Sequence, residues 1–238
     1  GLGDVYKRQT HSYLDLISEG YAMTITMAKT LQREGIEVFL TLSNEGLEIA
    51  WDKKILLGKD EYFDWLGKAR ENFDWILAIA PPLELIKISK IINEKLLGPP
   101  SQLVEIFSNK YLTYVALKEC GIDVPPTILV RSKHINIDDL KELNPPFIVK
   151  PVFMAGSECV YVVKDRDRIL DYVHRAMECD PQGEALVQEY IDGIHGSISA
   201  IYTKDRCLLY SLNLQLIVFD NDRLKFIGGI LPVRSRKE

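Results

Sequence analysis

The chain has 238 residues, of which 47% are hydrophobic and 26% charged, so it is long enough to bury one large core or two smaller ones. Its formal net charge of −5 provides no basic stripe to neutralise a phosphate backbone, which argues against nucleic-acid binding as its main activity. The sequence has no apolar run long enough to cross a membrane and no secretory signal peptide, so we expect a soluble cytoplasmic protein.

Residues 1–9 lack the periodicity of a helix or a strand and do not begin with Met. They resemble a read-through of adapter sequence, and we interpret them as a non-native leader that plays no part in the fold. The other end stops as abruptly, in the polar run 234–238. Both ends are therefore expected to be cuts.

Residues 10–100 alternate helical patterns with short apolar runs, which is typical of an open α/β sheet. The predicted elements are a helix over 14–34, a strand over 36–42, a helix over 61–72, a buried parallel strand over 75–80 and a helix over 83–96. In such sheets ligands bind beyond the carboxyl ends of the strands. The sequence therefore predicts an N-terminal α/β domain over 10–100.

The pattern changes within residues 101–238, where short strands follow one another more closely. The predicted elements are a helix over 108–119, a strand over 127–130, a helix over 137–143, strands over 147–151 and 160–163, a helix over 169–177, a strand over 185–189, and antiparallel strands over 197–202 and 207–218. This order predicts an α+β domain. Its small lobe would be 127–187, and a second lobe would begin with 188–238.

The stretch 147–163 contains the first candidate binding feature. It is predicted to be a short buried strand that ends in Lys150-Pro151, then a loop with Gly156, Ser157 and Glu158, and then a second strand. A lysine at the end of an apolar strand must send its ammonium to a polar group, and exposed loop N–H groups beside it would favour a bound phosphate. The alternative is a surface hairpin whose lysine reaches solvent, and these residues alone favour neither.

Two further segments add to this hypothesis. Lys110 lies at the start of a predicted helix, where a positive charge is unfavourable for the helix dipole, so it either contributes charge to a phosphate or is an ordinary solvated lysine. The strand over 185–189 ends in Glu189 and continues into Tyr190 and Ile191. Such a segment can present backbone groups and a carboxylate to the edge of a purine.

Cysteine and histidine offer little further chemistry. The four cysteines lack CxxC spacing and are predicted to be reduced thiols rather than a disulfide framework or a zinc site; they are Cys120, Cys159, Cys179 and Cys207. The four histidines lack the spacing of a metal site; they are His11, His134, His174 and His195. No metal ligand is therefore predicted within this chain.

In this order, the segments 108–111, 148–151 with 156–158, and 187–193 resemble the ATP-grasp superfamily of carboxylate–amine and carboxylate–thiol ligases. The resemblance runs from residue 12 to the last residue and includes the α/β domain that precedes the grasp fold in that superfamily. It implies a pre-ATP-grasp α/β domain followed by an α+β ATP-grasp domain whose C-terminal part is missing. Within the superfamily, the archaeal branch with tyramine–glutamate ligase of methanofuran biosynthesis looks most similar, on residues 19–23, 80–82, 213–215 and 228–229.

The resemblance also implies roles for particular residues. Lys110 and Lys150 would hold phosphate oxygens of ATP, and the loop of Gly156, Ser157 and Glu158 would close over them. Glu189, with the backbone of Tyr190 and Ile191, would hold adenine. His195 lies near the position of a ribose-binding carboxylate. Cys159 departs from the glycine found in many relatives and adds side-chain bulk to the loop.

The activity that the resemblance implies is an ATP- and Mg²⁺-dependent ligase that joins a small-molecule carboxylic acid to an amine through an acyl phosphate. Relatives place their metal carboxylates, including a Glu-x-Asn pair, after the strand with two glycines, so we expect the Mg²⁺ ligands beyond the end of this chain. The fragment is therefore predicted to bind ATP without catalysing the reaction. Two alternatives stay open: an ATP-binding regulatory module and a phosphotransferase that forms no amide.

Overall fold

The computed structural model describes residues 13–44, 48–58 and 60–233. The predicted leader over 1–9 and the predicted break at 234–238 lie outside the described residues. The chain forms two compact units. One holds the described residues up to Ile79 together with Ile86–Ser101, and the other holds Ala80–Leu85 together with the described residues from Gln102 onward.

The N-terminal unit combines helices with a short parallel pair of strands. Its elements are α1 (Tyr13–Arg33), β1 (Leu40–Ser43), β2 (Lys54–Leu57) and α2 (Tyr62–Asn72), followed by α3 (Pro82–Ile92), whose first turn is assigned to the other unit, and a 3₁₀ turn (Asn93–Lys95). The strands β1 and β2 run parallel, and Ala28, Leu40 and Ile49 form a small buried core. The helices predicted over 14–34 and 61–72 are confirmed.

The strand predicted over 75–80 is wrong. Among the described residues of this stretch, only Ile76 forms a β-bridge, with Leu96. Trp75 and Ile79 are 62% and 57% exposed, so the run is not covered on both faces as a central parallel strand would be. An apolar run forms a strand only where a neighbouring strand takes up its backbone groups, and that condition is met at a single residue. The strand β2, in contrast, was not predicted.

The second unit contains an antiparallel sheet with helices beside it. Its elements are α4 (Ser101–Ser108), α5 (Lys110–Glu119), β3 (Thr127–Val130), β4 (Phe147–Pro151), β5 (Tyr161–Val163), α6 (Ile169–Cys179), β6 (Ala185–Glu189), β7 (Gly196–Tyr202), β8 (Cys207–Asp220) and β9 (Arg223–Ile230). Within the described residues the strand order is β3-β6-β4-β5-β9-β8-β7, and every neighbouring pair is antiparallel. The predicted α/β unit followed by an α+β unit is thereby confirmed as the fold class.

Helix α6 covers one face of the strands that carry the candidate site. Its apolar residues recur at spacings of three and four along the helix and are buried; they are Ile169, Tyr172, Val173, Ala176 and Met177. They share a core with Phe147 and Val149 of β4 and with Ala185 and Val187 of β6. Because side chains alternate along a strand, Ile148 and Lys150 of β4 point to the opposite face.

The helix predicted over 137–143 is shorter than expected. The structure has a 3₁₀ turn over Ile137–Leu140, and Leu143 is buried beyond it. Pro145 and Pro146 follow Asn144, and a residue that precedes proline is disfavoured in the helical conformation. The helical turn therefore ends several residues before β4 begins at Phe147.

The prediction of four reduced cysteines is wrong for one pair. Cys159, in the loop after β4, and Cys179, the last residue of α6, form a disulfide with their Cα atoms 6.4 Å apart. The two residues are 20 positions apart in sequence, and they meet only because that loop folds back against the end of α6. Cys120 and Cys207 are free and exposed.

None of the helices in the described part of the chain is both long enough and apolar enough to cross a bilayer.

Candidate nucleotide-binding site

Lys150 projects from β4 on the face that α6 leaves uncovered. It lies opposite Leu186 of β6, and its side chain is half-buried. Burial lowers the pKa of Lys150 from 10.5 to about 8, because partial desolvation destabilises the charged ammonium more than the neutral amine. Within the described part of the chain, no acceptor takes a hydrogen bond from its Nζ. A half-buried cation without a partner is a site at which an anion would be stabilised.

Lys110 is the first residue of α5. The helix begins there because the Asn109 side chain accepts hydrogen bonds from the N–H groups of Tyr111, at 2.9 Å, and Leu112, at 3.0 Å. The Lys110 ammonium donates to the Val152 carbonyl oxygen at 3.2 Å and to that of Met154. Both acceptors lie in the segment that directly follows β4, so the lysine side chain returns to the end of that strand.

The charge of Lys150 acts on Lys110. The pKa of Lys110 is lowered from 10.5 to about 8, first by burial and then by the positive charge of Lys150, while the carboxylate of Asp180 acts in the opposite direction. The structure therefore brings Lys110 and Lys150, which are 40 positions apart in the sequence, close enough for their charges to interact. The Asp180 carboxylate acts on Lys110, whereas the Lys150 ammonium is shifted by burial alone, so the pair carries an excess of positive charge that suits a phosphate.

The loop after β4 has an unusual backbone. Gly156, Ser157 and Cys159 adopt φ angles of +69°, +59° and +51°, in the left-handed region. Glycine adopts this region freely, whereas Ser157 and Cys159 do so at a cost of about 1 kcal/mol each. Gly156 is exposed, and a Cβ built there would meet no atom within 4 Å, so the loop tip has open space above it. Glu158 is half-buried, with its N–H 3.3 Å from the Ala155 carbonyl oxygen.

Glu189 lies at the end of β6 opposite Phe147, which places its side chain on the α6 side of the sheet. Its Oε1 accepts from Asn144 twice, from the backbone N–H at 2.8 Å and from Nδ2 at 3.0 Å. The carboxylate thus fixes the turn before β4. It does not share a face with Lys150.

Gln188 does share the face of Lys150, because it lies opposite Ile148. Its side chain is buried, and Nε2 donates to Thr127 Oγ1 at 2.6 Å. Gln188 was not predicted from the sequence, where the neighbouring carboxylate of Glu189 is the more conspicuous residue type. Because side chains alternate along a strand, a known β4–β6 pairing would have shown that Gln188 lies on the same face as Lys150. That pairing is not visible in the sequence.

The segment after β6 uses some of its backbone groups in the fold. The Tyr190 N–H donates to the Pro146 carbonyl oxygen at 2.8 Å. The Ile191 N–H finds no acceptor among the described residues, and the Ile191 side chain is 64% exposed. His195 is half-buried directly before β7, and its carbonyl oxygen accepts from the Gln215 N–H at 2.8 Å. Of these backbone donors, that of Ile191 is the one open to a ligand.

A second residue that the sequence analysis missed is Asp180, which is 6% exposed and follows α6 directly. Its Oδ2 accepts from the Phe153 N–H at 2.8 Å, so it contacts the segment that holds Lys110. An acidic residue between a helix and a Pro-Gln-Gly turn is typical of a structural cap. The sequence pattern therefore gives no indication that Asp180 lies near Lys110.

The structure offers no protein-only metal site in the ranges it describes. No group of three or more His, Cys, Asp or Glu side chains in those ranges is arranged to hold an ion.

Comparison with known proteins places these features in a family context. The ATP-grasp domain matches residues 107–238. The chain is 31% identical to tyramine–L-glutamate ligase from Methanocaldococcus jannaschii, over 87% of this chain and 63% of that protein. It is 27% identical to the large chain of carbamoyl phosphate synthase from Xanthomonas campestris, over 42% of this chain and 9% of that protein. The chain thus spans less than two thirds of the length of either relative.

Solved structures share its fold. The chain resembles an L-amino acid ligase from Bacillus licheniformis with a TM-score of 0.61 at 18% identity, over 80% of this chain and 47% of that one. It resembles D-alanine–D-alanine ligase from Bacillus anthracis with a TM-score of 0.57 at 20% identity, over 75% of this chain and 59% of that one. At these identities the likeness concerns the fold alone.

Proposed function

Because this chain belongs to the ATP-grasp family, whose match covers more than half of its residues, we propose that its second unit binds ATP with Lys110 and Lys150 on the phosphates. The single observation that carries this proposal is the half-buried ammonium of Lys150, which has no acceptor among the described residues and lies beside a second lysine. Holding two like charges together in a partly desolvated place is unfavourable unless an anion neutralises them.

The β4–β6 register supports a proposed place for the adenine. Along β6, Glu189 lies three residues beyond Leu186, the partner of Lys150, which corresponds to about 10 Å. We propose that adenine binds at this distance to the backbone of Glu189, Tyr190 and Ile191, with the Ile191 N–H as the donor. The Glu189 carboxylate supports that segment through Asn144 rather than by direct contact with the base.

We further propose that the loop of Gly156, Ser157 and Glu158 covers the phosphates and that His195 contacts the ribose. The open space at the Gly156 Cβ position supports the first of these roles. The position of His195 after the adenine segment supports the second. Cys159 is compatible with the loop because its backbone already has the left-handed conformation that glycine would take.

For the whole protein we propose a ligase that forms an amide from a carboxylic acid and an amine. The carboxylate would take the γ-phosphoryl group of ATP, giving an acyl phosphate and ADP. The amine would then attack the acyl carbon, and inorganic phosphate would leave as the amide forms. The lysines would stabilise phosphoryl charge in this sequence. Mg²⁺ is expected to accompany ATP and to neutralise part of the phosphate charge.

Glutamate and tyramine are the first substrates to test, because the name of the relative at 31% identity refers to them. The whole protein, rather than this chain alone, would be incubated with ATP, Mg²⁺, L-glutamate and tyramine, and ADP, phosphate and amide would be measured. Equal amounts of ADP and amide would support the ligase. A phosphorylated substrate without amide would identify a phosphotransferase, and ATP binding without any conversion would identify a binding module; either result would contradict the proposed ligase activity.

A further inference from the structure

The buried carboxylate of Asp180 is attached to the candidate site through the backbone. Its Oδ1 accepts from the N–H groups of Gln182, at 2.9 Å, and Glu184, at 3.2 Å, and these bonds hold the turn after α6. Its Oδ2 is used differently. It accepts from the N–H of Phe153 at 2.8 Å, across 27 positions of sequence.

The peptide group between Val152 and Phe153 joins Asp180 to Lys110. In a trans peptide the N–H and the C=O point in opposite directions. Here the N–H of Phe153 points to the Asp180 carboxylate, and the carbonyl of Val152 accepts from Lys110 Nζ at 3.2 Å and from the Lys110 N–H at 3.3 Å. One peptide group thus has an anion bound at its donor and a cation bound at its acceptor, an arrangement in which each hydrogen bond polarises and strengthens the other.

We propose that Asp180 is a positioning residue of the nucleotide site, which orients the peptide group between Val152 and Phe153 so that its carbonyl holds the Lys110 ammonium where a phosphate binds. This inference rests on the proposed ATP binding. It adds a residue that touches neither the nucleotide nor the reacting atoms, but fixes the lysine that does.

The charges around Lys110 agree with this role. Lys150 faces it from β4 and lowers its pKa, and Asp180 faces it from the end of α6 and raises its pKa. Without the Asp180 charge, the pKa of Lys110 would fall below its value of about 8, so that less of the lysine would be protonated at neutral to mildly alkaline pH. Asp180 therefore affects both the place and the charge of the ammonium.

The variant Asp180→Asn tests the proposal. It keeps the shape of the side chain and an oxygen for the Gln182 and Glu184 N–H groups, but turns an amide N–H toward Phe153 and removes the charge. The ATP dissociation constant, measured by calorimetry from pH 6.5 to 9, is expected to rise about tenfold at pH 8, because a hydrogen bond to a charged group is lost. The pH above which the dissociation constant begins to rise should also be lower than in the unmodified protein.

Asp165→Asn is the matched control, since Asp165 is an exposed acid that caps a 3₁₀ turn.

The pH profile separates positioning from a purely structural role. If Asp180→Asn only made the protein less stable, ATP would bind more weakly, but the pH at which affinity falls would not change. Either that result or unchanged ATP binding would overturn the proposal. If Asp180→Asn does not fold, Asp180→Ser carries the same expectation, because a serine hydroxyl can still cap the Gln182 N–H.

A measurement without nucleotide distinguishes this proposal from the proposed function. The pKa of Lys110 can be followed by NMR of ¹³C-methylated lysines in the free protein, with Lys110→Arg used to assign the signal. A lower pKa in Asp180→Asn supports the link between Asp180 and Lys110 even if ATP does not bind. An unchanged pKa overturns the link even if ATP binds.

Discussion

Replacing Lys150 with Met should make the folded protein more stable while it weakens nucleotide binding. Met has a similar length but no charge, and the site is the half-buried face of β4. Burial lowers the pKa of Lys150 from 10.5 to about 8. Because a tenfold change in a protonation equilibrium is worth about 1.4 kcal/mol, holding this ammonium in the folded protein costs up to about 3 kcal/mol at pH 7. Lys150→Met removes that cost.

The increase in the free energy of unfolding caused by Lys150→Met should become smaller as the pH rises. Between pH 8 and 10.5 the unfolded chain still binds the Lys150 proton that the folded protein has released, so the free energy of unfolding of the unmodified protein rises with pH across this window. The difference between Lys150→Met and the unmodified protein is therefore largest below pH 8 and shrinks toward pH 10.5. Loss of the Lys150 charge also raises the pKa of Lys110, which adds to the stability of the variant below pH 8.

The same variant, Lys150→Met, should bind ATP more weakly. A hydrogen bond between a charged group and a phosphate is worth about 1.5–3 kcal/mol, so the ATP dissociation constant should rise about tenfold to a hundredfold. Urea unfolding at pH 7 and pH 9.5, with calorimetric titration of ATP, measures both effects. Lys141→Met removes an exposed lysine of the same unit and should change stability by no more than about 0.5 kcal/mol. Equal stability at pH 7 together with unchanged ATP affinity would refute the reasoning.

Three further predictions concern the framework of the site. Reduction of the Cys159–Cys179 disulfide, which closes a loop of 20 residues, should lower the free energy of unfolding by about 3 kcal/mol, and dithiothreitol should have no such effect on a Cys159→Ser, Cys179→Ser double variant. Gly156→Ala should lower it by about 1 kcal/mol because of the positive φ, although the space is open; an unchanged urea midpoint would contradict this. Asn144→Ala should lower it by about 0.5–1 kcal/mol by removing the exposed Nδ2 donor to Glu189, and an unchanged urea midpoint in this variant would argue against that contact.

Much of the local structure could be predicted from the sequence because the signals were local. The amphipathic spacing of α6, the apolar strand that ends in Lys150 and the alternating strands β7 and β8 each follow from neighbouring residues. The stretch 75–80 has an equally apolar sequence but becomes a single bridge, since its fate depends on what packs against it. Local pattern identifies a strand only where tertiary structure supplies its partner.

The site could be predicted only in part, for a related reason. Lys110 and Lys150 became candidates because of their places at element ends, but the face on which each neighbour lies depends on the β4–β6 register. That register places Gln188 beside Lys150 and sends the Glu189 carboxylate to Asn144. The pairing of Cys159 with Cys179 and the contact of Asp180 with Phe153 link positions 20 and 27 residues apart, which no spacing rule connects.

The central claim is that Lys110 and Lys150 converge on one phosphate group. It is tested most directly by NMR of ¹³C-methylated lysines during titration with a non-hydrolysable ATP analogue. The pKa of both lysines should rise above about 8 as the analogue binds, since an anion stabilises the ammonium form. Binding of the analogue that leaves the pKa of both lysines unchanged would contradict the claim.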